Sequence, residues 1–340
     1  MRGAIGIAAT LGIVVALTAP ALAPSARAAD HPLTITATPR TKKLRLGDDI
    51  ILDVVIKNPA STAVTLPVLR LASDSISVRV EGESLRAATV TRLHGQFVVN
   101  ERDDDGANES VGAAGGPKLR FKTDPSRRML VPAHDELRGE IRFAAVAPGT
   151  LRLTTALSMG ADEAPLTADP VEVVVATPAG SRRLIVRVET TRAPITIALD
   201  GTRAFNSVSQ FWSLARSGFY GDLPFWRVVP EQLVQTGDSR GDGTGTSGWY
   251  LPAETVTTPL ERGVIALARG PHPDSASSQW FITLGDAAAA AERLPGAYAV
   301  LGTVIEGLDV ADAIAAAELN AATGLPKHPD RVVRVRTSLR

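Results

Sequence analysis

The chain has no cysteine. That removes disulfides, thiolate zinc sites, thiol catalysis and a lipid-modified N-terminal cysteine. Histidine is scarce: His31, His94, His134, His272 and His328 are scattered, with no H-E-x-x-H among them. No serine is expected on a nucleophile elbow. Nothing here supports a hydrolase or a metalloenzyme, and no cofactor or metal is expected. An excess of charge is missing too, since 36 Lys and Arg match 36 Asp and Glu. No strongly basic stretch appears, which argues against nucleic acid as a partner. Beyond the N-terminus, no run is long and apolar enough to span a bilayer.

What is present begins with a targeting segment. Arg2 gives a short positive region, Ala4–Leu17 is apolar, Pro20 and Pro24 break it, and Ala26-Arg27-Ala28 fits a cleavage site. Residues 1–28 therefore read as a signal peptide. An uncleaved membrane anchor is the alternative. Either way the rest of the chain is expected to work outside the cytoplasm: periplasmic, attached to the cell wall, or secreted.

With 340 residues and 44% hydrophobic content, about two domains are expected. Residues 30–177 alternate in short segments separated by turns. Leu33–Ala37, Ile50–Ile56, Ser75–Val80, Gly95–Val99, Glu140–Ala145, Thr150–Leu157 and Val171–Ala176 read as strands. Lys57–Ser61 and Ala147–Thr150 read as turns. Around seven strands suggest a β-sandwich of immunoglobulin-like type, a reading that rests on spacing alone. Residues 178–183 read as a linker.

From 184 to 340 the pattern changes. Leu184–Thr190 and Ile195–Leu199 alternate as strands, and Arg203–Ser217 has helical periodicity. Thr202 is the expected N-cap and Gly218 the expected C′ residue. Strands resume near Val228 and Leu233, then at Gly263–Leu267, Trp280–Thr283 and Tyr298–Val304. A second helix is expected over Leu308–Ala316, and a last strand through Val332, Val333 and Val335. Many strands with two helices exclude a βαβ parallel sheet.

Several motifs dissolve on inspection. Gly243–Gly248 spells G-x-G-x-x-G, but no hydrophobic strand precedes it and Trp249-Tyr250-Leu251-Pro252 follows, so it reads as a flexible glycine loop. Arg240-Gly241-Asp242 is a chance tripeptide in the same loop. Asp103-Asp104-Asp105 with Asn108 and Glu109 misses the EF-hand spacing and reads as a solvated acidic loop.

One stretch keeps its question. In Phe225–Asp238 (FWRVVPEQLVQTGD) an arginine sits inside one apolar run and a glutamine inside the next. Strand alternation puts Phe225, Arg227 and Val229 on one face, and Leu233 and Gln235 join them if the phase survives the turn. A buried, unpaired arginine is very costly, so Arg227 has a partner, lines a cleft, or snorkels from an ordinary strand. Taken alone, Phe281 and Leu294 could simply be core.

Together with Ala266-Leu267-Ala268-Arg269, Ser278-Gln279-Trp280-Phe281-Ile282 and Leu294–Gly302, this stretch resembles the cyclophilin-type peptidyl-prolyl cis/trans isomerases. The likeness is ordered and runs from about Leu184 to the C-terminus. It implies an eight-stranded antiparallel β-barrel capped by two helices, with its site on the outer face. It implies a catalytic Arg227 with Gln235 beside it, and a proline pocket walled by Leu233, Phe281 and Leu294, with Tyr298 nearby. Ala268, Arg269 and Gln279 would hold substrate backbone in the adjoining groove, and Trp280 would fit the core or the rim. Gln232 stands where the family usually has phenylalanine, and Arg293 where many members have Trp or Phe, so the pocket is expected to be more open and polar. The implied function is rotation about X-Pro bonds in proline-containing or unfolded segments of exported proteins. Two other readings stay open. One is a proline-peptide-binding adaptor with little turnover. The other gives the main role to the β-sandwich as an envelope-binding or partner-binding domain.

Overall fold

The computed structural model describes residues 32–67, 76–83, 85–90, 97–99, 128–159, 163–179, 183–254, 260–285 and 298–340. The expected signal segment, the acidic stretch at 103–105 and Leu294 lie outside these residues.

The first half supplies strands β1 (Thr34–Pro39), β2 (Lys43–Arg45), β3 (Asp49–Lys57), β4 (Val64–Pro67), β5 (Ile76–Gly82), β6 (Leu85–Val90), β7 (Phe97–Val99), β8 (Arg128–Val131), β9 (Glu136–Ala144), β10 (Gly149–Leu157), β11 (Leu166–Thr167) and β12 (Val171–Ala176). One sheet runs β1-β3-β9-β7, a second runs β2-β12-β10-β5-β6 with β11 added to β10, and β4 pairs with β8. Alternation selects the buried face: along β3, Ile50, Leu52, Val54 and Ile56 are fully buried. The turn after β3 is held by Asn58, whose buried amide donates to Thr62 O, Val131 O and Pro132 O. The buried residues of both sheets belong to one apolar cluster, which continues into the second half, and the first half folds as a β-sandwich.

The second half supplies β13 (Leu184–Thr190), β14 (Ile195–Leu199), α1 (Phe205–Arg216), β15 (Arg227–Val229), β16 (Leu233–Thr236), β17 (Val264–Leu267), β18 (Trp280–Thr283), β19 (Val300–Glu306), α2 (Leu308–Ala315) and β20 (Val332–Leu339). Eight antiparallel strands follow the order β15-β16-β18-β17-β19-β14-β13-β20. The sheet curls until its edges meet. Pro224 and Arg331 form an antiparallel bridge. Phe225 N–H bonds Asp330 O at 2.8 Å, and Val332 N–H bonds Leu223 O at 2.9 Å. This is the antiparallel barrel with two helices that the sequence led us to expect.

Helix α1 ends as expected and begins differently. Gly218 has φ of 80°, and Phe219 N–H returns to Leu214 O while Gly218 N–H returns to Ala215 O, a Schellman close. Thr202 is not the N-cap. Ala204 holds that place without a side-chain bond, and Thr202 is engaged with Asp200 Oδ1 instead. The free N–H groups of Asn206 and Ser207 are met by the Glu254 carboxylate at 2.9 and 2.6 Å. The cap comes from a residue far along the chain, which local sequence does not reveal.

The same helix joins the two halves. It packs between β20 of the barrel and β6 and β9 of the sandwich. Trp212 Nε1 donates to Gly47 O at 3.0 Å, and Ser209 Oγ accepts from Ala144 N–H at 2.8 Å, both bonds buried. Phe205 meets Phe143 edge-on at 6.1 Å. At Gly201 an added Cβ would lie 2.2 Å from Val146 O, so the backbones touch and only glycine fits.

Candidate functional site

Period-two alternation divides the barrel strands into two faces. Val228, Val234, Ile265, Leu267, Trp280 and Ile282 point into the barrel core. Their neighbours Val264, Ala266, Phe281 and Val300 form a second, separate apolar cluster with Leu260. Leu233, Ala268 and Tyr298 pack on that cluster from its open side. In register, Arg227 faces Gln235, Gln235 faces Phe281, Phe281 faces Ala266, and Ala266 faces Val300. One row across five strands therefore runs from a cation through an amide to an apolar bed.

Phe225 does not share this face. It lies ahead of β15, is fully buried in the core and packs edge-on against Trp280 at 6.3 Å. The ladder starts only at Arg227, so the expected alternation does not reach back to Phe225.

The polar end of the row is a directional chain. Arg227 Nη1 donates to Gln235 Oε1 at 3.0 Å. Gln235 Nε2 donates to Gln279 Oε1 at 2.8 Å. Gln279 Nε2 donates to Gly243 O at 3.1 Å and Gly245 O at 2.9 Å. Two main-chain carbonyls can only accept, and this fixes how both amides point. The acceptor oxygen of Gln235 is thereby aimed at the guanidinium. Gln235 is buried, while Arg227 is exposed.

The glycine loop that anchors the chain is itself held. Asp238 is fully buried and accepts from Arg240 N–H at 2.8 Å and from Gly243 N–H. A Cβ at Gly245 would fall 1.8 Å from Asp238 Oδ1. The loop was expected to be merely flexible. Instead it wraps one carboxylate, and its carbonyls face Gln279. No helix follows it, in keeping with its exclusion as a dinucleotide fingerprint. The letters G-x-S-x-G do occur, at Gly237–Gly241, but they open this loop. Ser239 there is exposed and donates to Thr246 O, so it is not on a nucleophile elbow.

The apolar end is shaped by aromatic contacts. Phe281 and Tyr298 meet edge-on at 5.2 Å, and the Arg269 guanidinium lies 5.8 Å over the Tyr298 ring. Ala268 N–H bonds Gln279 O at 2.9 Å, which ties the next strand end to the same amide residue. Beside it opens a cleft of about 420 Å³ lined by Trp226, Gln235, Thr244, Ala268, Arg269 and Gln279.

The structure thus gathers Arg227, Gln235, Leu233, Ala268, Arg269, Gln279, Phe281 and Tyr298. Gln232 lies at the turn just before Leu233. It is exposed and serves the hairpin turn, with its N–H on Val229 O and its C=O accepting from Leu284 N–H. Trp280 is core and not rim. Sequence reading missed Val264, Ala266, Val300, Leu260 and the two glycine carbonyls. The clue to the first three was strands with no polar face. Among the described residues, no group of three or more His, Asp and Glu is placed to hold a metal.

Residues 185–337 match the family model described as cyclophilin type peptidyl-prolyl cis-trans isomerase/CLD. A probable peptidyl-prolyl cis-trans isomerase of Brucella suis biovar 1 is 32% identical over 191 residues, covering 53% of this chain and 89% of that protein. A peptidyl-prolyl cis-trans isomerase of Acinetobacter baylyi is 32% identical over 165 residues, covering 44% of this chain and 84% of that protein. Among solved structures, a cyclophilin-type isomerase of Cryptosporidium parvum aligns with TM-score 0.43 at 21% identity, covering 46% of this chain and 98% of that one.

Proposed function

The chain belongs to the cyclophilin-type peptidyl-prolyl cis-trans isomerases, and we propose that its site turns X-Pro bonds in exported proteins, outside the cytoplasm. The observation that carries the assignment of roles is the chain Arg227–Gln235–Gln279–glycine carbonyls laid beside the Phe281–Tyr298 bed. The export reading is supported by the composition of residues 1–28. Division into a module over 30–177, read as immunoglobulin-like from its strand spacing, and an isomerase unit (184–340) is supported by the strand pairing, since among the described residues no sheet takes strands from both.

The chemistry follows from the amide. Rotation about an X-Pro bond must break conjugation, against a barrier of about 18–20 kcal/mol. In the twisted state the prolyl nitrogen becomes pyramidal and regains its lone pair. A donor aimed there binds the transition state and hardly touches the planar ground state. Arg227 is that donor, and Gln235 holds its orientation. The proline ring lies on Phe281, Leu233 and Tyr298. Ala268, Arg269 and Gln279 take the flanking backbone. A gain of about 10⁵ in rate requires roughly 7 kcal/mol. One charged hydrogen bond supplies about 1.5–3 kcal/mol, and fixing the ring and backbone must supply the rest.

The test is cis/trans exchange of a short Ala-Pro peptide, measured by NMR with the wild-type chain and with Arg227→Ala. The wild type accelerates exchange. The variant loses about 10–150-fold in kcat/KM, the equivalent of that one bond, with folding unchanged. Peptide binding without any acceleration by the wild type would sink this reading and leave a proline-binding adaptor, the role to which the exposed Gln232 would lend itself.

A further inference from the structure

The apolar bed under the site does not stop at the site. Val264 and Val300 belong to the Phe281 cluster. The same two residues also line a second cleft, of about 440 Å³, where the barrel meets the sandwich. Across that cleft stand Leu46, Val146 and Pro148 of the sandwich. Its rim is polar, with the Asp200–Arg203 ion pair at 3.1 Å and Thr202. Below it, Gly201 and Val146 are in backbone contact, so the two halves meet there without an intervening side chain.

We propose that this cleft is a second binding site for the polypeptide whose proline occupies the isomerase site. It takes apolar side chains four or five residues away from that proline. The inference rests on the isomerase reading for the place of the proline ring. Its occupant is an extended, unfolded chain because the two sites share a wall and lie on one sheet face. Strands are spaced about 4.8 Å apart, so Phe281 to Val300 is two spacings and β14 is the third, about 14 Å in all. An extended chain covers roughly 3.3 Å per residue, which gives the four-to-five-residue reach. The sandwich would then help to grip clients, and a dipeptide substrate would not feel it.

The experiment compares two proline peptides on the full chain. One has two residues on each side of a single Ala-Pro. The other adds six residues, apolar and polar in alternation, at each end. Affinity is read by fluorescence anisotropy and exchange by NMR. The longer peptide binds the wild type at least about tenfold more tightly, the effect of burying one or two apolar side chains. Thr303→Trp fills the cleft from an exposed barrel position, and Pro148→Arg blocks it from an exposed sandwich position. Each removes the length advantage and leaves the short peptide's binding and kcat/KM unchanged. Equal affinity of the two peptides for the wild type overturns the proposal. So does a length advantage that survives in whichever of the two variants folds. Failure of the short peptide to be turned over would strike the isomerase reading alone, because affinity still decides the cleft.

Discussion

The barrel carries apolar surface outside its own core in two places, and the two end differently. On α1, Phe205 and Trp212 are covered by the sandwich, and the polar groups among them are matched: Trp212 by Gly47 O, Ser209 by Ala144 N–H. On the row from β15 to β19, Phe281 and Leu233 border an exposed guanidinium whose partner, among the described residues, is Gln235. In the first patch the Trp212 donor and the Ser209 acceptor are each engaged by a fixed main-chain partner. The second keeps a cation facing outward beside an apolar bed. Saturated polar groups mark a surface built to stay closed, and a held but unsaturated one marks a surface built to receive something.

The sharpest way to break this comparison is Trp212→Ala. Removing a buried indole and its hydrogen bond is expected to cost about 3–5 kcal/mol. Urea unfolding of the full chain measures it. The folded fraction should keep its kcat for a short Ala-Pro peptide within about twofold, since Trp212 lies in the closed patch and does not touch the Arg227 row. A large loss of kcat at full folding would show that the two surfaces are not separate.

Next comes Gln279→Leu, which cuts the chain that orients Gln235. Three hydrogen bonds are lost, the one from Gln235 Nε2 and the two to the glycine carbonyls. The first of them, of net value about 1–1.5 kcal/mol, is what positions Gln235 and through it Arg227. We expect kcat to fall about tenfold, and the urea midpoint to fall as well, because the buried Gln235 amide is left without its acceptor at a cost of about 1–3 kcal/mol. Restoring the donor with Gln279→Asn should recover part of the loss if the reach to the glycine carbonyls is what matters.

These predictions also show how much the sequence could tell. Strands with a clean period were legible: Ile50–Ile56 falls within β3 and Val171–Ala176 is β12. Strand β6, LRAATV, was not, because Arg and paired alanines blur its alternation. The cation-and-amide pair stood out from its neighbours because polar residues in apolar runs need a reason. The glycine carbonyls did not, since backbone groups carry no letter. Nor did the Glu254 cap on α1 or the sandwich cover on Trp212, both of which depend on residues brought together from far apart in the chain.

The smallest effect tests the seam between the two surfaces. Tyr220 lies between them: its ring packs on Phe211 of α1 at 5.3 Å and on Trp280 of β18 at 6.3 Å, and its hydroxyl donates to Ser278 O, next to Gln279. Burial raises its pKa well above that of an ordinary tyrosine. The unfolded chain releases this proton near pH 10, while the folded chain retains it. The protonated Tyr220 therefore supports the fold fully below about pH 10, and that support falls as pH rises further toward the folded value. In an absorbance titration, Tyr220 should ionise only with unfolding. Tyr220→Phe should cost about 1 kcal/mol for the lost hydrogen bond and abolish that late step. Its kcat should match wild type, because Gln279 is positioned by the glycine loop and not by Ser278. A fall in kcat on this change, with folding intact, would mean that the closed side of the barrel helps to set the open one.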